Sequence, residues 1–186
     1  MVRTRILADE GGSAILEFAL VLPLLAVFVV GIFDFSGAFN QKQKVAQAAQ
    51  EGAILAAAQP MTDIQASNGN PDSLQAVVVA IFNSLQGNGV IPTGTCVPPG
   101  TNAGGPTLTW TYSISGCPDN LSIVIQRGQV PSAAASPGQP LAVCTVVTVS
   151  YPYHWRFNGV IQLLFPHSSY SATTSVIESA TVHNQT

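Results

Sequence analysis

The chain has 186 residues, 47% of them hydrophobic and only 8% charged. A soluble domain carries about 25% charged residues, so the polar surface here must come from Ser, Thr, Asn and Gln. Six Lys and Arg against nine Asp and Glu leave a net charge of -3, which excludes a nucleic-acid binder that displaces counterions with clustered positive charge.

Residues 1–12 read MVRTRILADEGG, with Arg3 and Arg5 basic, Asp9 and Glu10 acidic, and Gly11-Gly12 expected as a flexible break. Residues 18–33 then run without a charge or a strongly polar group. Extending back through Glu17 to Ala14 gives about 20 residues, the length a helix needs to cross a hydrocarbon core. Glu17 is the informative exception. A carboxylate in a membrane helix is costly and usually serves a partner, although near the span's end it can reach the headgroups.

Three readings of this segment stand side by side. It is a permanent anchor with nothing removed, or a signal peptide cut at the small-residue site Ser36-Gly37-Ala38. The third is a short leader cut after Gly12, which leaves the apolar helix on the mature chain, with Ser13 first and Glu17 fifth. Against the signal peptide stand Glu17, Asp34 and the unusual length of about 38 residues.

Residues 36–59 are rich in helix formers. Val45, Ala48, Ala49, Gly52, Ala53 and Ala56 make a stripe of mostly small residues at spacings of three and four, suited to close helix approach. One helix is expected to run unbroken from Ala14 to Gln59 and stop at Pro60, with a break near Ser36-Gly37 as the alternative. Pro23 lacks an N–H and predicts a kink or local unwinding.

The stretch from Gly11 to Ala57 resembles the TadE-like family, pseudopilins of the tight-adherence (Flp pilus) assembly system. The residues that carry the resemblance are Glu17-Phe18-Ala19-Leu20, Leu22-Pro23-Leu24, Gly31-Ile32, Asp34-Phe35 and Ala49-Gln50-Glu51-Gly52-Ala53. The resemblance implies a prepilin peptidase cut between Gly12 and Ser13, and an assembly role for Glu17, Phe18 and Pro23. Glu17 would meet the new amine of a neighbouring Ser13 at low dielectric. It implies other pilin-like subunits, an inner-membrane assembly platform and membrane lipid as partners, and no cofactor. The flanking cations balance at two on each side, Arg3 and Arg5 against Lys42 and Lys44. The resemblance therefore decides the orientation, with the N-terminus cytoplasmic and the C-terminal part periplasmic.

Beyond Pro60, Asn68-Gly69-Asn70-Pro71 signals a turn. Asp72 or Ser73 should cap a second helix whose apolar residues Leu74, Val77, Val78, Ile81, Phe82 and Leu85 follow the helical period; Gly87 or Gly89 should end it. Residues 92–106 read as an irregular loop around Cys96. Strands are expected at residues 108–115, 121–126, 142–153 (the longest, its end placed at an edge by Pro152) and 170–180, with a flexible loop at 131–140 and a helix or strand at 159–165. The fold class is α+β: a long transmembrane and stalk helix, a second amphipathic helix and a small antiparallel sheet, pilin-like. Its divisions are a leader over 1–12, the helix over 13–59 and an extracytoplasmic domain over 60–186.

Cys96, Cys117 and Cys144 all follow the apolar segment and form no CxxC pair. An exported head allows one disulfide, and the sequence leaves the three pairings open. His154, His167 and His183 show no metal-binding spacing, and neither a GxSxG nor a phosphate loop is present. A non-catalytic assembly subunit is the leading reading. A secreted or signal-anchored binding module, cut after Ala38 or uncut, is the alternative.

Overall fold

The computed structural model describes residues 10–60, 62–64, 69–94, 96–98, 101–105, 108–130, 143–157 and 173–184. The expected loop at 131–140 and the ambiguous element at 159–165 lie outside them. Two helices precede five strands: α1 (Glu10–Ala58), α2 (Asp72–Gly87), β1 (Thr101–Gly105), β2 (Thr109–Cys117), β3 (Asp119–Gln129), β4 (Cys144–His154) and β5 (Thr173–His183). The strands form one antiparallel sheet in sequence order, a meander with no crossover. This is the α+β, pilin-like arrangement: a long apolar N-terminal helix, a second helix and an antiparallel sheet.

Helix α1 has 49 residues and is about 74 Å long at about 1.5 Å per residue. It passes Ser36-Gly37 without a break. Gly11-Gly12, expected as a break, lies inside the helix, and of the kink or local unwinding expected at Pro23 the unwinding does not occur. Its second half is the spine of the head. Val45, Ala48, Ala49, Ala53 and Ala56 are fully buried, and the helix packs on β4, β5 and α2. Gly52 is where the three layers come closest. A Cβ there would lie 2.4 Å from Ile81 Cδ1 of α2 and 3.6 Å from Val147 Cγ1 of β4.

Helix α2 buries the predicted face, Leu74, Val77, Val78, Ile81, Phe82 and Leu85. Each such side chain contributes about 1.5–3 kcal/mol on leaving water, which is what fixes so short a helix. These residues join Trp110, Tyr112, Ile114, Leu121, Ile123, Ile125, Val147 and Val149 in one core. The N-terminus of α2 is capped differently from the expectation at Asp72 or Ser73. Pro71 is the N-cap, with no side-chain bond of its own. The Asp63 carboxylate reaches across instead, accepting from the Ser73 N–H and the Ser73 hydroxyl at 2.9 Å each. Gly87 is the last helical residue, and Gly89 turns the chain at φ +69°.

The sheet adds two corrections. Residues 101–105, expected as loop, form β1 and pair with β2 from Thr101↔Ser113 to Gly105↔Thr109. The strand containing Pro152 lies between β3 and β5, but its pairing with β3 reaches no further than Ser150, so the end that holds Pro152 is an edge on that side, where a missing N–H takes nothing from a ladder. Finally, β3, β4 and β5 are equally long, with 11 residues each. One sheet face carries the core and the other is polar, with Thr148 bonded to Ser179 at 2.8 Å and Ser150 to Ser175 at 3.0 Å.

Of the three cysteine pairings left open, the structure forms Cys96–Cys117, tying the segment before β1 to the end of β2. Cys144 is buried outside the disulfide, with its Sγ 3.3 Å from His183 Nδ1.

Candidate functional site

The two halves of α1 have opposite surroundings. The first half is apolar and uncovered: Ile15 is 72% exposed, Leu20 71% and Phe28 63%. The helix is long and apolar enough to cross a membrane, and none of its most apolar window is buried in the head. The second half is almost wholly covered on one side by sheet and α2. Burying an apolar helix on one half only makes sense if the other half is covered by lipid or by other chains.

Near the N-terminus, the Ser13 hydroxyl lies 3.4 Å from Glu17 Oε1, one helical turn away. Glu17 therefore has a polar neighbour on its own helix at an otherwise apolar surface. Gly12 has open space around it. Phe18 is 66% exposed, and Pro23 lies on the same uncovered half.

The halves meet at Asp34. It directly follows the apolar run, yet only 4% of it is exposed. Its carboxylate is bound from the far end of the chain. The Tyr153 hydroxyl donates to Oδ1 at 3.0 Å and also lies 3.1 Å from the Asp34 carbonyl oxygen. The Arg156 N–H donates to Oδ1 at 3.2 Å, and the Phe157 N–H lies 3.4 Å from Oδ2. A buried carboxylate needs such donors, because desolvating it unpaired would cost several kcal/mol. Gly37, one turn on, makes room for them: a Cβ there would lie 2.6 Å from the Tyr153 hydroxyl oxygen. Tyr153 is steadied in turn by an edge-on contact with Trp155 at 5.2 Å between ring centres. The Trp155 indole N–H donates to Thr174 of β5 at 2.8 Å. The head is thus latched to the helix where the apolar half ends.

A second anchor holds the other end of α1. Arg127 is 1% exposed and donates through Nη1 and Nη2 to the Gln59 carbonyl at 3.1 and 3.2 Å. A helix C-terminus leaves carbonyls unpaired and carries partial negative charge, so a cation there satisfies both. Burial lowers the Arg127 pKa from its ordinary value, against the opposing pull of Asp63. Lys42 pairs with Glu178 of β5 at 3.4 Å and ties the middle of the helix to the sheet edge.

The spacing of small residues disclosed the buried stripe, but neither anchor was legible in the sequence. Asp34 was legible as one half of an acidic–aromatic pair. Its partners lie 119 to 123 residues away, beyond any local pattern. Arg127 occupies an inward position of an alternating strand, where a cation reads as a break in the pattern. Of the aromatic residues at the end of β4 and just beyond it, Tyr151 and Tyr153 are buried and Trp155 and Phe157 are half-buried. His154 meets Asp119 Oδ2 at 2.6 Å on the surface. Among the described residues no group of three or more His, Cys, Asp or Glu is placed to hold a metal ion.

The molecule is therefore a membrane-associated protein with an α+β head, and among the described residues α1 is the one helix long and apolar enough to span a bilayer. The family described as TadE-like protein matches residues 12–53, a small part of the chain that includes the uncovered half of α1, Asp34 and the stripe as far as Ala53. No curated protein and no solved structure matches the chain.

Proposed function

We propose that this chain is a non-catalytic, pseudopilin-like subunit of a pilus-assembly or secretion system. It sits in the bacterial inner membrane with its N-terminus cytoplasmic and its head, residues 60–186, periplasmic. The observation that carries the reading is the division of α1: one continuous helix, uncovered and apolar before Asp34, is the structural spine of the head after it. A retained anchor that is also a stalk is what a pilin-type subunit requires, and the TadE-like match over residues 12–53 supports the same role.

Processing between Gly12 and Ser13 follows from this reading. The cut removes residues 1–12, makes Ser13 the N-terminus and leaves Glu17 one turn from the new amine. In an assembly, that carboxylate would compensate the Ser13 amine of a neighbouring copy or of another pilin-like subunit. Prepilin peptidase would make the cut, and an inner-membrane platform would collect the product.

The latch argues against the competing cut after Ala38. That cut would remove Asp34, the acceptor shared by the Tyr153 hydroxyl and the Arg156 and Phe157 N–H groups, and would uncover Tyr153, which is 5% exposed in the intact head. The proposal is tested by Gly12→Leu. The precursor should accumulate uncut in the membrane fraction of a strain carrying the peptidase. Normal mature size in this variant refutes processing at Gly12.

A further inference from the structure

The chain has only six cations, and two of the four that follow the apolar run are committed. Lys42 is paired with Glu178, and Arg127 is buried against the end of α1. The remaining two, Lys44 and Arg156, have no ion pair among the described residues, and they line the same cleft of about 190 Å³. Gly37, Tyr153, Asn40 and Gln41 also line it, the Gln41 amide nitrogen donating to the Pro152 carbonyl at 3.1 Å and keeping its oxygen free of that bond. The nearest acids are already engaged. Asp34 is held behind Tyr153 by three donors, and Asp119, in the adjoining cleft, meets His154. The cleft thus brings together two cations that have no ion pair among the described residues, beside carboxylates whose oxygens are already hydrogen-bonded, on a molecule whose net charge is -3.

Its height decides what would fill it. The apolar half of α1 ends at Asp34, and the Arg156 N–H is bonded to that residue, so the base of the cleft lies at the edge of the hydrocarbon. Lys44 is ten residues further along α1, about 15 Å above Asp34. The polar layer of a bilayer adds about 5–8 Å on each side of the core. A lysine stem can reach back over that distance while its methylenes lie along the protein. The two cations therefore bracket the headgroup layer.

We infer that the cleft of Lys44 and Arg156 binds the phosphate of an anionic phospholipid headgroup and so fixes the head's tilt on the bilayer. The ligand is a phosphodiester such as phosphatidylglycerol. Arg156 meets the phosphate from below, Lys44 from above, and Asn40 and Gln41 bond the headgroup's polar atoms. The inference rests on the membrane-anchored reading above but not on where the leader is cut.

The full chain is reconstituted in nanodiscs of mixed phosphatidylglycerol and phosphatidylcholine, and the retained lipid is counted by native mass spectrometry. Phosphatidylglycerol should be enriched over its bulk fraction by the order of tenfold, since each cation near a membrane surface favours anionic lipid severalfold. The double variant K44Q/R156Q should lose the enrichment. K42Q, which removes an engaged cation, should keep it. The Arg156 N–H that holds Asp34 is backbone, so R156Q leaves the latch in place, and thermal unfolding of the head checks this. Equal lipid composition around the wild type, or enrichment that survives the double variant, overturns the inference. So does inorganic phosphate or glycerol 3-phosphate displacing phosphatidylglycerol at comparable concentration, which would make a soluble anion the ligand. Selective binding of an acidic peptide, with no lipid preference, would assign the cleft to a protein partner instead. None of these outcomes changes the N-terminus of the mature chain, so the pseudopilin reading is judged separately.

Discussion

Asp34 illustrates how a single residue can join two environments. In the sequence it reads as the end of an apolar run. In the structure it is a buried acceptor for Tyr153, Arg156 and Phe157. Hydrogen bonds to a charged group are worth about 1.5–3 kcal/mol each. Tyr153→Phe should therefore destabilise the head by about that amount in detergent-solubilised protein, measured by thermal unfolding. Gly37→Ala should act in the same direction, because its methyl displaces the Tyr153 hydroxyl; an unchanged Tm in both variants would show the latch to be dispensable. Asp63 gives a pH dependence. The Ser73 backbone N–H, its largest influence, holds the Asp63 carboxyl below its ordinary value, with burial opposing and the Ser73 hydroxyl and Arg127 helping. A depressed carboxylate pKa stabilises the fold above the unfolded value and loses that contribution as pH falls through the folded one. The start of α2 should therefore loosen below about pH 4, seen as faster amide exchange at Leu74 and Gln75. Asp63→Asn should remove this pH dependence while keeping part of the cap.

At the scale of elements, local periodicity carried most of what the sequence disclosed. The buried stripe of α1 and the whole apolar face of α2 follow from spacings of three and four, and the structure buries both. The elements that escaped are held by distant partners. β1 has the sequence TNAGG, with no β-branched or aromatic side chain beyond Thr101, and becomes a strand only because β2 supplies a ladder. The cap of α2 comes from Asp63, outside the helix, so a search among the helix's own first residues finds the wrong group. Gly52 is legible as a member of the small-residue stripe, but its need to be glycine depends on Ile81. Gly52→Val should overpack this crossing and cost about 1–3 kcal/mol, measured by chemical denaturation of the head. Arg127→Met keeps the bulk but leaves the Gln59 carbonyl unpaired, and should fray the last turn of α1.

Across the whole molecule, a low-charge chain keeps a small head stable with one core, two anchors and one disulfide. The Cys96–Cys117 link closes a loop of 21 residues. The loop-entropy argument gives about 3 kcal/mol for a loop of that size, so Cys96→Ser should lower head stability by about that much under oxidising conditions. Cys144→Ser, outside the disulfide, should cost far less. The sequence located the three cysteines beyond the apolar helix but held no information on their pairing, which depends on β2 bringing Cys117 to the loop that holds Cys96.

The central claim is that α1 stays on the mature protein as anchor and stalk, released from its leader between Gly12 and Ser13. N-terminal sequencing of the protein extracted from membranes tests it most directly. A mature chain beginning SAILEF supports the account. A chain beginning at Phe39 would remove Asp34 and the whole apolar half and would contradict it; one beginning at Met1 would leave a signal-anchored module with no pilin-type processing.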